Sequence, residues 1–329
     1  MSYYAPIAAA LVTLALIAII LSSKFGKQIH DIPNERSLHT TPIPRTGGIG
    51  LMAGTLVGFG VTWHLLTGYP LALTLAACVF FLLLVSFLDD INELSVGWRL
   101  LIHFVVAGAY LEIVLPPHVG WLVLGTLVIL TVWMINLYNF MDGSDGLAGG
   151  MALFGFGSYA LAAWLANDTG LFQMNVCIAA SALSFLFFNF YPARIFMGDS
   201  GSIPLGFLAA ALGVAGVIKG VWPLWFPPAI FAPFIIDASV TLSKRMIAGD
   251  RVWQAHRSHY YQRLILMGWG HRATATAEYV LMAATAATAI RILKAPATTQ
   301  VLCLLLWTII YIGLMLFIDN LWRRYQKLQ

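Results

Sequence analysis

Apolar runs of about twenty residues, each long enough to cross a hydrocarbon core about 30 Å thick, recur along this whole chain. Nothing else constrains the fold so strongly. Backbone inside a bilayer must satisfy its own hydrogen bonds, and for runs of this length that means α-helices. The runs fall at 5–22, 47–67, 71–88, 99–115, 119–138, 147–165, 171–190, 202–218, 224–243, 274–293 and 298–318. They predict an all-α polytopic integral membrane protein with about eleven transmembrane helices. Composition agrees: 60% of the 329 residues are hydrophobic, 10% are charged and the mean hydropathy is +0.83, whereas soluble domains are about 25% charged. The longest polar interval, 244–272, is too short for a soluble core, so residues 1–329 read as one membrane domain. Cys78, Cys177 and Cys303 lie inside apolar runs without metal or disulfide spacing and read as small buried hydrophobes.

The net charge of +4 reports orientation here rather than nucleic-acid binding. Alternating the runs across a membrane puts fifteen of the 18 Lys and Arg on one face, leaving Lys219, Arg291 and Lys294 on the other. By the positive-inside rule the first face is cytoplasmic, with the N-terminus outside and the C-terminus in the cytoplasm. The first run reads as a retained helix: nothing basic precedes it, and Lys24 and Lys27 follow directly. Connections on the outer face are short and turn-like, whereas the cytoplasmic loops 23–46, 89–98, 139–146, 191–201 and 244–273 hold most of the polar chemistry.

Asp89-Asp90 ends the third run, where the helix macrodipole is already negative. A hard divalent cation, Mg²⁺ or Mn²⁺, would relieve that repulsion; so would a solvated helix end with Arg99 as counter-charge. In Asn136-Leu-Tyr-Asn139-Phe-Met-Asp142-Gly-Ser-Asp145-Gly, four polar residues at steps of three are expected to line one face as the fifth helix ends. The same residues also suit an ordinary turn. Asp199-Ser-Gly, opening the eighth run, reads as an N-cap, as an anion-binding helix start with Asp199 available to a metal, or as both. The 250–264 interval concentrates Arg257, His259 and Arg263, which suit a phosphate or an anionic lipid surface. Arg36 to Gly48, stiffened by Pro42 and Pro44, carries His39 and Arg45 ahead of Gly47-Gly48 and suits an anion or a basic anchor. Asp237 reads as the partner of Lys244 or Arg245. Carboxylates for a metal and Arg, His and Gly groups for phosphates thus share a face, as metal-assisted transfer at phosphorus requires.

Taken in order, His39-x-x-Pro-x-Pro-Arg-x-Gly-Gly, Asp89-Asp90, Asn136-x-x-Asn-x-x-Asp-Gly-x-Asp-Gly, Asn189-x-x-Pro-Ala-x-x-Phe-Met-Gly-Asp-x-Gly-Ser and the His256 to Leu264 loop resemble the polyprenyl-phosphate N-acetylhexosamine-1-phosphate transferases. That family includes the phospho-MurNAc-pentapeptide translocase and the bacterial enzymes that start O-antigen, enterobacterial common antigen and teichoic acid synthesis. The resemblance implies a cytoplasmic-face active site in the bacterial inner membrane, a Mg²⁺ cofactor with Mn²⁺ as a substitute, and transfer from a UDP-HexNAc donor to undecaprenyl phosphate with release of UMP. Its partners are then those two substrates and membrane lipid, with no nucleic acid; a homodimer is compatible with it. Carried over by position, Asp89, Asp90 and Asp199 are the catalytic, metal-holding acids. Asn139, Asp142 and Asp145 hold the nucleotide, Phe196 stacks on uracil and Asn189 sits near the phosphates, with Arg45, Arg257, His259 and Arg263 as basic partners. Many members carry His-x-His-His in the last loop; here Tyr261 and Gln262 take the later two positions and His256 stands where an acid is common. In this the chain resembles the subgroup that primes lipopolysaccharide O-chains.

A proton- or metal-ion-coupled transporter is the alternative. It predicts carboxylates at mid-membrane, and Glu112, Asp237 and Glu278 are the acids inside the runs.

Overall fold

A computed structural model of the chain describes residues 3–23, 30–31, 42–66, 68–92, 94–251 and 256–328. Lys24, Lys27, Arg36 and His39 lie outside the described residues. The helices are α1 (Tyr4–Ser22), α2 (Gly47–Leu65), α3 (Pro70–Asn92), α4 (Val96–Val114), α5 (Trp121–Phe140), α6 (Leu147–Leu165) and α7 (Thr169–Asn189). They continue as α8 (Asp199–Ile218), α9 (Phe226–Ile230), α10 (Ala232–Ile247), α11 (Tyr260–Leu264), a π-helical turn at Ile265–Trp269, α12 (Gly270–Ile292) and α13 (Ala297–Gln326). One short antiparallel pair, β1 (His30–Asp31) with β2 (Ile43–Pro44), precedes α2.

Each apolar run is helical over most of its described length, and nine helices among the described residues, α1 to α8 and α13, are long and apolar enough to cross a membrane. The protein is therefore an all-α, multi-pass membrane protein. The ninth run is not one helix: Phe231 divides it into α9 and α10. Pro233 has no N–H to give the Ala229 carbonyl four residues back, and its ring crowds that carbonyl. The tenth run, α12, has the length but carries Arg272, Thr274, Thr276 and Glu278 in its first half.

Helices α6, α7 and α8 form the middle of the bundle and are buried nearly all round. The outermost helix is α13, where Tyr311 is the buried residue. One end of the bundle is tied by Lys219, which donates to the Tyr69 hydroxyl at 2.7 Å and to Asp168 Oδ2 at 2.5 Å. Asp168 also caps α7, accepting the Leu171 N–H at 2.8 Å. Burial works against the Lys219 charge, but hydrogen bonds to Asp168 and Tyr69 more than reverse this and raise its pKa. The motif-bearing segments lie at the other end.

Candidate active site

Asp89 and Asp90 occupy the last turn of α3. Asp89 is buried; its Oδ1 accepts the Leu94 N–H at 2.7 Å and its Oδ2 accepts Arg99 Nη1, from the first turn of α4, at 3.0 Å. The same Arg99 nitrogen lies 3.6 Å from Asp199 Oδ2, so one guanidinium joins the acids of α3 and α8. Asp90 Oδ2 accepts Ser200 Oγ at 2.9 Å. Arg45 Nη2 donates to the Asp90 main-chain carbonyl at 3.0 Å and stands 3.6 Å from its Oδ1. Asn139, in the last turn of α5, hydrogen-bonds Asp199 and accepts Ser202 Oγ at 3.0 Å. Arg45, Asp89, Asp90, Asn139 and Asp199, far apart in sequence, therefore meet.

Main-chain contacts explain how. The N-cap of α8 is Gly198, at φ 70°, not Asp199. Asp199 is the first helical residue, where the positive end of the macrodipole favours a carboxylate. A Cβ on Gly198 would collide with the Arg45 carbonyl, and one on Gly48 with the backbone of Gly201. Gly47 and Gly48 donate their N–H groups to the Phe196 and Met197 carbonyls, both at 2.9 Å, and Phe196 N–H donates to the Pro44 carbonyl at 2.7 Å. The first two N–H groups of α2, expected to suit an anion, are thus taken by the chain itself.

Asp145 and Asn189 stand in a neighbouring joint. Asp145 Oδ2 accepts the Ala193 N–H at 2.9 Å, and its Oδ1 lies 3.5 Å from His271 Nδ1, which Ser144 Oγ approaches to 3.0 Å. Asn189 Oδ1 accepts the Gly146 N–H at 3.0 Å while its Nδ2 donates to the Ile195 carbonyl at 2.9 Å. The expected polar face from Asn136 to Asp145 does not form. Helix α5 ends at Phe140, Asn136 spends its amide on the Val132 carbonyl at 2.7 Å, and the chain turns before Asp145. Asp142 is half-buried in that turn, near Tyr138 and Tyr261; Phe196 is half-buried beside α2.

The last loop is a third group. Asp237 pairs with neither Lys244 nor Arg245, contrary to expectation. Its Oδ1 lies 3.1 Å from His259 Nδ1 and accepts the Tyr260 N–H at 3.0 Å, and its Oδ2 accepts the Tyr261 N–H at 3.0 Å. A buried carboxylate is met here by free donors at the start of α11, which a long Lys or Arg chain need not supply. His259 is buried, Arg263 is mostly buried and paired with Asp319 at 2.9 Å, and Arg257 is exposed. Ser200, Ser202, His271 and Asp319 were not singled out from the sequence. For Asp319 the signal was an acid close behind an apolar run.

Among the described residues no three Asp, Glu, His or Cys side chains are already closed around one ion position. The donor chemistry nonetheless fits a hard divalent ion: carboxylates from two helix ends share a cation, and that cation is the Arg99 guanidinium. These acids lie at helix ends beside Arg45 and Arg99, not at mid-helix as an ion path through the membrane would place them.

Fold and site together define a multi-pass membrane protein with carboxylates and guanidinium groups gathered at one end of its bundle. The model of glycosyl transferase family 4 matches residues 72–217, from α3 to the end of α8. A probable undecaprenyl-phosphate N-acetylglucosaminyl 1-phosphate transferase of Bacillus subtilis is 28% identical over 287 residues, covering 81% of this chain and 80% of the relative. The undecaprenyl-phosphate alpha-N-acetylglucosaminyl 1-phosphate transferase of Yersinia pestis is 29% identical, covering 74% and 71%. The phospho-N-acetylmuramoyl-pentapeptide-transferase of Shouchella clausii is 26% identical, covering 80% and 87%. From α3 to α8 the chain is thus similar to glycosyl transferase family 4, and these relatives are named as N-acetylglucosaminyl 1-phosphate and phospho-N-acetylmuramoyl-pentapeptide transferases.

Proposed function

We propose that this protein transfers an N-acetylhexosamine 1-phosphate to a polyprenyl phosphate in cell-envelope synthesis. The donor is a UDP-HexNAc, the acceptor undecaprenyl phosphate, and the products are the undecaprenyl-diphosphate sugar and UMP. The relatives' names support the reaction class. The observation that carries the finer reading is the meeting of Asp89, Asp90, Asp199 and Asn139 with Arg45 and Arg99.

An oxygen of the lipid phosphate attacks the β-phosphorus of the donor. The new P–O bond forms as the bond to the UMP oxygen breaks, and UMP leaves with that electron pair. A phosphate monoester is largely dianionic at neutral pH, its second pKa being about 6, so the nucleophile has no proton to lose. Asp89, with donors on both oxygens, acts as ligand and anchor rather than as base. Arg45 and Arg99 offset charge on the transferring phosphate. Asn139 and Asp142 hold the nucleotide, Phe196 stacks on its base, and Asp145 and Asn189 fix the loops around it. Arg257 meets the lipid phosphate on a loop that His259 and Arg263 hold in place. Asp89, Asp90 and Asp199 would hold Mg²⁺ or Mn²⁺, which would supply charge neutralisation for the diphosphate.

The positive-inside count supports a site on the cytoplasmic face of the bacterial inner membrane, with one domain spanning residues 1–329. The divergent loop at Tyr261 and Gln262 supports a role in starting O-antigen or another envelope glycan. The test uses detergent-purified protein, undecaprenyl phosphate and a panel of UDP-HexNAc donors, following UMP release with and without EDTA. Release that requires both lipid and metal is the expected result and names the sugar. Folded protein that neither releases UMP nor binds any UDP-sugar overturns the reading.

A further inference from the structure

Helix α13 lies outside the family-matched segment and is the least packed helix of the bundle, yet its Asp319 is only 14% exposed. Asp319 Oδ1 accepts Arg263 Nη1 at 2.9 Å. Its Oδ2 accepts Lys244 Nζ and the Tyr260 hydroxyl, the latter at 3.3 Å. One carboxylate therefore gathers two cations and a phenol from α10 and α11. Arg263 passes the restraint on: its Nε donates to the Ser258 carbonyl at 2.8 Å, and its guanidinium covers the Tyr260 ring at 4.8 Å and the Trp322 ring at 6.0 Å.

The same turn is held from the other side by Asp237, through His259 and the N–H groups of Tyr260 and Tyr261. Near these anchors lie exposed Arg257 and the stacked rings of His256 and His259, 4.8 Å apart. The held segment also touches α5. The Tyr261 hydroxyl is 3.4 Å from the Phe140 carbonyl, next to Asn139 in the chain. It also fills the space a side chain at Gly143 would need.

We propose that Asp319 is a positioning residue for the acceptor phosphate: by holding Lys244, Tyr260 and Arg263 it sets Arg257 and His259 against the end of α5. This rests on the transferase reading above. A misplaced phosphate-binding group weakens transfer without unfolding the protein, and small displacements of reacting groups cost about a hundredfold.

The experiment compares Asp319→Asn and Asp319→Glu in the full-length protein. Expected for Asp319→Asn is a fall of about ten- to a hundredfold in kcat/KM for undecaprenyl phosphate, an unchanged KM for the UDP-sugar and a melting temperature lowered no further than that of Arg263→Met. Asp319→Glu restores most of the loss, and adding Asp319→Asn to Arg263→Met costs less than Asp319→Asn does alone. Hydrogen exchange, which needs no turnover, is expected to quicken in 256–264 of Asp319→Asn and to stay unchanged in α6. Unchanged acceptor kinetics in Asp319→Asn overturn the proposal, as does a loss shared by donor KM and melting temperature that Glu fails to restore. If wild-type protein turns over no donor, the transferase reading fails by itself; unchanged exchange in 256–264 then removes the anchor as well.

Discussion

Arg99 reaches from the first turn of α4 to Asp89 at the end of α3, its Nη1 3.0 Å from Asp89 Oδ2, and the same nitrogen is within 3.6 Å of Asp199. Removing that cation leaves carboxylates of two helices, the buried Asp89 among them, without their shared counter-charge, which costs stability. Arg99→Gln is therefore expected to melt lower than wild type in EDTA and to gain more from added Mg²⁺, because a ligand bound only by the folded state raises its stability. Differential scanning fluorimetry across a Mg²⁺ series checks this. Equal Mg²⁺ responses in the two proteins would remove the metal from this cluster.

Asp199→Asn keeps the shape and the contact to Asn139 but loses the charge. Turnover is expected to drop by at least about 10²- to 10³-fold, the range seen when one electrostatic group at a reacting centre is removed, while gel filtration and circular dichroism stay those of wild type. Full activity in this variant would sink the assignment of Asp199 to the metal.

Asn189 is 3% exposed and satisfies the Gly146 N–H and the Ile195 carbonyl at once. Asn189→Leu leaves both unpaired, at about 1–3 kcal/mol for each buried group. A lower melting temperature and a raised KM for the UDP-sugar are expected together. Thermal melts and donor titrations in one buffer measure both, and a variant with wild-type values in each would show that the joint does not depend on this amide.

The Lys219 pKa is raised in the folded protein by Asp168 and Tyr69, against the effect of burial. A group with a raised folded pKa contributes its stability fully below its unfolded value, here 10.5, and loses it as pH climbs through the folded one. The gap in melting temperature between wild type and Lys219→Met is therefore expected to stay constant from pH 7 to about 10 and to close above that. A gap that closes on the acid side of neutrality would contradict the assignment.

The helices were legible because length and unbroken hydrophobicity leave few alternatives in a bilayer. The acids at Asp89, Asp90 and Asp199 were legible because charge at the edge of apolar runs calls for an explanation. Arg99 could be named as a counter-charge to Asp89, but its second contact, to Asp199, depends on how α4 packs beside α8, and no spacing encodes that. The steps of three from Asn136 failed for a local reason: that periodicity places residues on one face only while the helix continues, and α5 stops at Phe140. Asp237 misled because Lys244 and Arg245 are near in sequence, whereas its donors come from across the loop at His259 to Tyr261.

The pairing of Gly47 and Gly48 with Phe196 and Met197 also bears on how the molecule is made. Helix α2 leaves the ribosome long before the segment that completes its first turn, by about 10–30 s at ordinary synthesis rates. During that interval Arg45 lacks Gly198 beside its carbonyl, Asp90 lacks Ser200 and Arg99 lacks Asp199. The nascent protein can insert seven helices and still hold no reaction centre. The acid cluster closes only with the membrane integration of α8, and the loop anchored by Asp319 follows later still, with α13.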